Sequence, residues 1–88
     1  MRITNIVYEP HFQRAYKKLS PELKTAFIER LPLFVEECFN PKLQTHKLSG
    51  KHKDQWSFSI SYSYRVLFEF LPSNQVLFID VDDHDIYK

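Results

Sequence analysis

The stretch Trp56-Ser57-Phe58-Ser59-Ile60-Ser61-Tyr62-Ser63 places a bulky apolar or aromatic residue at every even position and a serine at every odd one. Side chains of a strand alternate between its two faces, so this pattern predicts a half-buried β-strand with one hydroxyl-lined face. Just downstream, Arg65-Val66-Leu67-Phe68-Glu69-Phe70-Leu71 predicts a second strand and Pro72-Ser73-Asn74 a turn. Gln75 to Val81 follows as a nearly unbroken apolar run, the pattern of a strand covered on both faces in the middle of a sheet.

Upstream the period changes. Residues 2–8 are rich in β-branched side chains and end at Glu9-Pro10, which predicts a first strand. Pro10 suits the first turn of a helix running to about Leu19, with Phe12, Ala15, Tyr16 and Leu19 at helical spacing. Ser20-Pro21-Glu22-Leu23 then marks a second helix start, with Ser20 as N-cap and Pro21 at the first helical position. Leu23, Ala26, Phe27, Leu31, Phe34, Val35 and Cys38 form one apolar stripe interrupted only by Arg30, which extends this helix to about Phe39 before Asn40-Pro41. Pro32 lies off the stripe and is expected to kink the helix against the carbonyl of Ile28. Residues 40–55 lack apolar periodicity and read as a loop. The element order is β-α-α-β-β-β. The fold class is α+β, a two-helix hairpin packed on one face of a mostly antiparallel four-stranded sheet.

Composition sets the outer bounds. With 88 residues the chain makes a single domain, and 43% hydrophobic content with eight Phe, five Tyr and one Trp excludes a disordered chain. The lone Cys38 excludes an internal disulfide framework and a zinc site built on several thiolates. No apolar run approaches ~18 residues and Met1-Arg2-Ile3-Thr4 does not open a signal peptide, so a cytoplasmic location away from membranes is expected. Twelve Lys and Arg against eleven Asp and Glu leave a net charge of +1, yet the charge is segregated. Between Cys38 and Lys53 there is no acidic residue, while Lys42, His46, Lys47, Lys51, His52 and Lys53 crowd together. Such a cluster either neutralises RNA phosphates or forms an ordinary solvated loop.

Several segments together resemble the RelE/ParE superfamily of toxin–antitoxin toxins, chiefly its RelE-like mRNA interferase branch. They are Leu19-Ser20-Pro21-Glu22-Leu23, Pro41-Lys42-Leu43, Lys47-Leu48-Ser49-Gly50, Trp56-Ser57-Phe58-Ser59-Ile60, Tyr64-Arg65-Val66-Leu67-Phe68 and the closing His84-Asp85-Ile86-Tyr87. Their order and spacing span nearly the whole chain. The resemblance implies a small ribonuclease that cuts mRNA in the ribosomal A site without a metal or cofactor, and that is neutralised by a cognate antitoxin protein. It also implies that Arg65 faces the scissile phosphate, that His84 serves as acid or electrostatic helper, and that Tyr87 stacks or transfers a proton. The sequence departs from the family pattern at Ser59, where many relatives carry a second basic residue. The strand lysines of some members fall here on Trp56 and Phe58, and two residues rather than three separate His84 from Tyr87. The superfamily also holds gyrase-inhibiting toxins, so a protein-binding toxin and a degenerate, inactive member are the rival readings.

Cleavage of RNA by its own 2′-hydroxyl needs a base, an acid for the leaving 5′ oxygen, and positive charge at the phosphate. His84 is the leading acid–base candidate, because imidazole titrates near neutrality and the flanking Asp82, Asp83 and Asp85 favour its charged form. The alternative is a surface histidine in an acidic turn; ligation of a metal with Asp80 and Asp82 lacks any further ligand spacing. Arg65 interrupts an apolar strand, where an unpaired guanidinium is costly. It either pairs with an acid such as Glu69 on the same strand face or points into a phosphate site. Lys47, Lys51, His52 and Lys53 are the candidate backbone contacts, with Tyr64, Tyr62 and Tyr87 as candidate stacking residues. His46 and His52 read as solvent-exposed, although His52 could supply a general base because it precedes the serine-faced strand.

Overall fold

The computed structural model describes residues 1–50 and 54–83. The elements are β1 (Asn5–Tyr8), α1 (Pro10–Lys17), α2 (Pro21–Glu36), β2 (His46–Lys47), β3 (Trp56–Ser59), β4 (Tyr64–Leu71) and β5 (Gln75–Asp83). A short 3₁₀ turn, Pro41–Leu43, precedes β2. The five strands lie in the order β1-β5-β4-β3-β2, antiparallel throughout except that β1 runs parallel to β5. The fold class is the α+β arrangement expected, with one strand more. Two residues, His46 opposite Ser57 and Lys47 opposite Trp56, form that fifth strand, which is too short to leave a periodic signal.

Both helices open on proline, whose fixed φ suits the first turn. The Ser20 hydroxyl accepts the Leu23 N–H at 3.2 Å and so satisfies one of the orphan donors of α2. Ser20→Ala should therefore cost about 1 kcal/mol and lower the melting temperature by roughly 4–8 °C, a change readable by thermal denaturation.

Three boundaries differ from the sequence reading, each for a local reason. Helix α2 stops at Glu36 rather than near Phe39 because Glu37 leaves the helix with an extended backbone. There the chain start takes over: the Met1 amino group pairs with the Glu37 carboxylate, Cys38 N–H donates to Met1 O, and Ile3 N–H donates to Val35 O. For the same reason β1 begins at Asn5, since Ile3 bonds to α2 and Thr4 to Asn74 O instead of the ladder. Strand β3 ends at Ser59 rather than continuing through Tyr62. The serines divert the chain, as Ser59 Oγ donates to Ser61 O and Ser61 Oγ accepts the Tyr64 N–H. Nor is β3 half-buried, because Ser57 is as buried as Phe58.

The helices cover one face of the sheet. Phe12, Phe27 and Phe34 from the helices meet Phe58, Val66, Phe68, Val76 and Phe78 from the strands in one core. Phe34 stacks on Phe58 at 4.3 Å between centroids and meets Phe68 edge-on at 5.1 Å. Ile79 is the extra residue of a bulge, since Leu67 opposes Asp80 while Phe68 opposes Phe78. The face of the sheet opposite the helices carries a small buried apolar island of Leu48 and Leu67, with Ile79 packed against it.

Candidate functional site

Arg65 projects from β4 onto that second face. Its cross-strand neighbours are Ser59 on β3 and Asp82 on β5. The guanidinium Nη2 donates to the Gln44 side-chain oxygen at 3.2 Å. Nη1 lies 3.4 Å from the Gln44 backbone carbonyl and 3.5 Å from Ser57 Oγ. These are long bonds to neutral acceptors. Among the described residues no carboxylate pairs with Arg65; Glu69 instead accepts a bond from Gln55 at 3.4 Å. Desolvation by its surroundings pulls the Arg65 pKa down, but a guanidinium stays charged at any working pH. The outcome is a half-buried cation with no compensating anion among the described residues.

Gln44 is the organiser of this corner. It follows the 3₁₀ turn in the left-handed region at φ 52°, which few side chains other than Gly, Asn and Asp adopt readily. That bend aims its carbonyl at two partners, Arg65 Nη1 and His46 Nδ1, the latter at 2.9 Å. A carbonyl only accepts, so the contact requires a proton on Nδ1 and leaves Nε2 bare in the neutral ring. His46 and Arg65 thus share one oxygen atom and stand side by side. A shallow polar depression of about 270 Å³ adjoins them, lined by Arg30, Lys42, Gln44, Ser59, Ser61 and Tyr62. The Arg30 guanidinium is held at its rim by the Lys42 carbonyl, and Tyr62 stands fully in solvent on the β3–β4 turn.

Register sorts the residues singled out in the sequence. Lys47 opposes Trp56, which packs toward the helices, and Tyr64 packs against the same core. Neither shares a face with Arg65, so the expected grouping of Lys47, Tyr64 and Arg65 in one site does not form. Tyr64 instead lines a cleft of about 310 Å³ with His11 and Arg14 of α1 and with Lys18 just after it. Lys51, His52, Lys53, His84 and Tyr87 lie outside the described residues. Reading the sequence placed His46 in the basic cluster as a solvent-exposed residue, which it is, but not beside Arg65, and it missed Gln44 and Arg30. Arg30 had left a trace as the one polar break in an apolar helical stripe, whereas His46 and Gln44 sat in a segment without periodicity.

No protein-family model matches the chain, and no curated protein matches it in sequence. Solved structures do match in shape. The toxin–antitoxin complex RelBE2 from Mycobacterium tuberculosis aligns with a TM-score of 0.77 at 19% identity, over 94% of this chain and 93% of that one. A YoeB/ParE toxin from Agrobacterium tumefaciens aligns at 0.74 and 14% identity, over 92% and 99%. The archaeal RelE–RelB complex of Pyrococcus horikoshii aligns at 0.72 and 16% identity, over 94% and 96%. The chain has the fold of the RelE, YoeB and ParE toxins.

Proposed function

We propose that this chain is the toxin of a toxin–antitoxin pair and acts as a ribonuclease on mRNA held in the ribosomal A site. The observation that carries the reading is Arg65, a half-buried guanidinium bonded among the described residues only to neutral groups, beside a histidine of fixed tautomer. An Arg fork of this kind suits the oxygens of a phosphodiester. His46 Nε2 is the base that takes the 2′ proton, and the 2′ oxygen attacks the adjacent phosphorus. Arg65 stabilises the charge that builds on the phosphate. The 5′ oxygen departs with a proton from an acid, the role that the resemblance gives His84, leaving a 2′,3′-cyclic phosphate and a 5′-hydroxyl. The nucleophile belongs to the substrate, so this route requires neither a metal nor a cofactor. Arg30 and Lys42 flank the site as contacts for neighbouring phosphates, and Tyr62 offers an exposed ring for an unstacked base. The likeness to structures solved as toxin–antitoxin complexes supports a protein antitoxin as partner.

The test is to induce the chain alone in a bacterial host and map new mRNA 5′ ends. Ends accumulating within translated codons, in register with the reading frame, are expected. Growth arrest without such ends would favour a toxin that binds a protein such as gyrase. Normal growth with folded protein would identify an inactive member.

A further inference from the structure

Among the described residues three other than glycine hold a left-handed backbone: Gln44, Ser73 and Asn74. Ser73 and Asn74 make the tight connection between β4 and β5, where the chain must reverse. Gln44 lies in no such hairpin. A left-handed backbone strains a residue that carries a Cβ, and it persists only where the surroundings impose it. Here they do. On one side Asn40 Oδ1 accepts the Lys42 N–H at 2.9 Å, the Gln44 N–H donates to Pro41 O at 3.2 Å, and Leu43 is fully buried. On the other, Thr45 Oγ1 donates to Cys38 O at 2.6 Å. The residue between these anchors must take up the bend, and glycine would do so without strain. A glutamine there points to a task for its side chain.

That side chain is matched to Arg65 in reach and in charge. Nη2 donates to its amide oxygen at 3.2 Å while Nη1 lies 3.4 Å from the carbonyl of the same residue, so Gln44 meets both terminal nitrogens of the fork. Asparagine accepts a left-handed backbone more readily but is one methylene shorter. Glutamate has the same reach, yet it would satisfy the guanidinium with a charge-assisted ion pair. Glutamine holds the fork without neutralising it. Its contacts are long, and the shorter, charge-assisted bonds of a phosphate would displace them.

We propose that Gln44 is a positioning residue of the phosphate site, a neutral latch that aims the Arg65 fork in the free protein and releases it to a phosphodiester. The inference rests on the reading of Arg65 as the phosphate-binding group and adds the residue that orients it. Release has a second effect. The Gln44 carbonyl, shared until then, is left to His46 Nδ1 at 2.9 Å, so its hold on the imidazole proton is undivided when Nε2 takes the 2′ proton.

The experiment compares Gln44→Glu and Gln44→Gly with the parent. Inorganic phosphate is titrated at fixed ionic strength while ¹⁵N NMR follows Arg65 Nε–H and the His46 ring, and melting temperature and cleavage of a defined translated message are measured alongside. Gln44→Glu should weaken phosphate binding at Arg65 at least about tenfold and raise KM with little change in kcat, because the anion must displace a carboxylate. Gln44→Gly keeps the carbonyl, and with it the proton on His46 Nδ1, but loosens the fork. Its phosphate affinity should stay within about threefold of the parent while kcat falls about tenfold. Neither variant should melt below the parent, and the glycine variant should melt higher, because its backbone strain is gone. A residue that only shaped the turn would lose stability and activity together.

Equal phosphate binding by the parent and Gln44→Glu, parental kcat in Gln44→Gly, or losses that track a lowered melting temperature would each overturn the proposal. Parental cleavage by both variants would remove the latch and leave the nuclease reading standing. Weakened phosphate binding by Gln44→Glu, in a chain that cleaves no message, would leave the latch standing and remove the nuclease reading.

Discussion

Arg65→Ala should lower RNA cleavage by about 10²–10³-fold, equivalent to about 3–4 kcal/mol of lost transition-state stabilisation. The same variant should be no less stable than the parent. Removing a half-buried cation whose partners among the described residues are Gln44 and Ser57 relieves a desolvation cost and orphans none of their charged groups. Arg65→Lys keeps the charge but not the planar fork, and should recover only part of the activity. Cleavage assays on a defined translated message, paired with urea denaturation, read both quantities. An Ala variant that unfolds more easily and still cleaves at the parental rate would make Arg65 a structural residue. His46→Ala, assayed alongside, separates the base from the charge: it should lose cleavage while retaining binding to uncleaved message.

Phe34→Ala should have the largest effect on folding. Phe34 is fully buried, stacks on Phe58 and meets Phe68 and Phe78 edge-on, so it ties α2 to three strands. Truncating such a ring removes its transfer free energy and leaves a cavity that rigid aromatic neighbours cannot fill, a loss of about 3–5 kcal/mol. Domains of this kind hold only about 5–15 kcal/mol in total. The urea midpoint should fall steeply with little change in slope, and the melting temperature by roughly 15 °C or more. Phe39→Ala is the control. Phe39 is 44% exposed and only leans on Trp56 and Phe70, so its removal should cost far less.

The regular elements were legible because each carries a repeating signal. Proline and Ser20 mark the helix starts, the apolar stripe of α2 points its phenylalanines inward, and the apolar run from Gln75 lies between β1 and β4. What escaped is what has no period. The partner of β1 is one example: a four-residue strand says nothing of whether it runs parallel to β5 or antiparallel to β3. Gln44 is another, since its left-handed backbone is set by the turn at Pro41–Leu43 and has no sequence hallmark of its own. The site was half readable for the same reason. Arg65 stood out as a charge in an apolar strand, but the face it occupies depends on register, and register separated it from Lys47 and Tyr64 while bringing it to His46.

The parallel pairing of β1 with β5 sets a condition on synthesis. Asn5 finds Gln75 across 70 positions of chain, so β1 must wait for β5. Contacts of such long sequence separation form late and slow a small domain's folding. While the chain is still being translated, β1 and the phenylalanines of α1 and α2 have no sheet to rest on, because β3, β4 and β5 all follow them. A nascent chain of this protein therefore cannot complete the sheet that carries Arg65 before β5 has been made. Under the nuclease reading, a protein that destroys translating mRNA is thereby held inert until its own β5 has been synthesised.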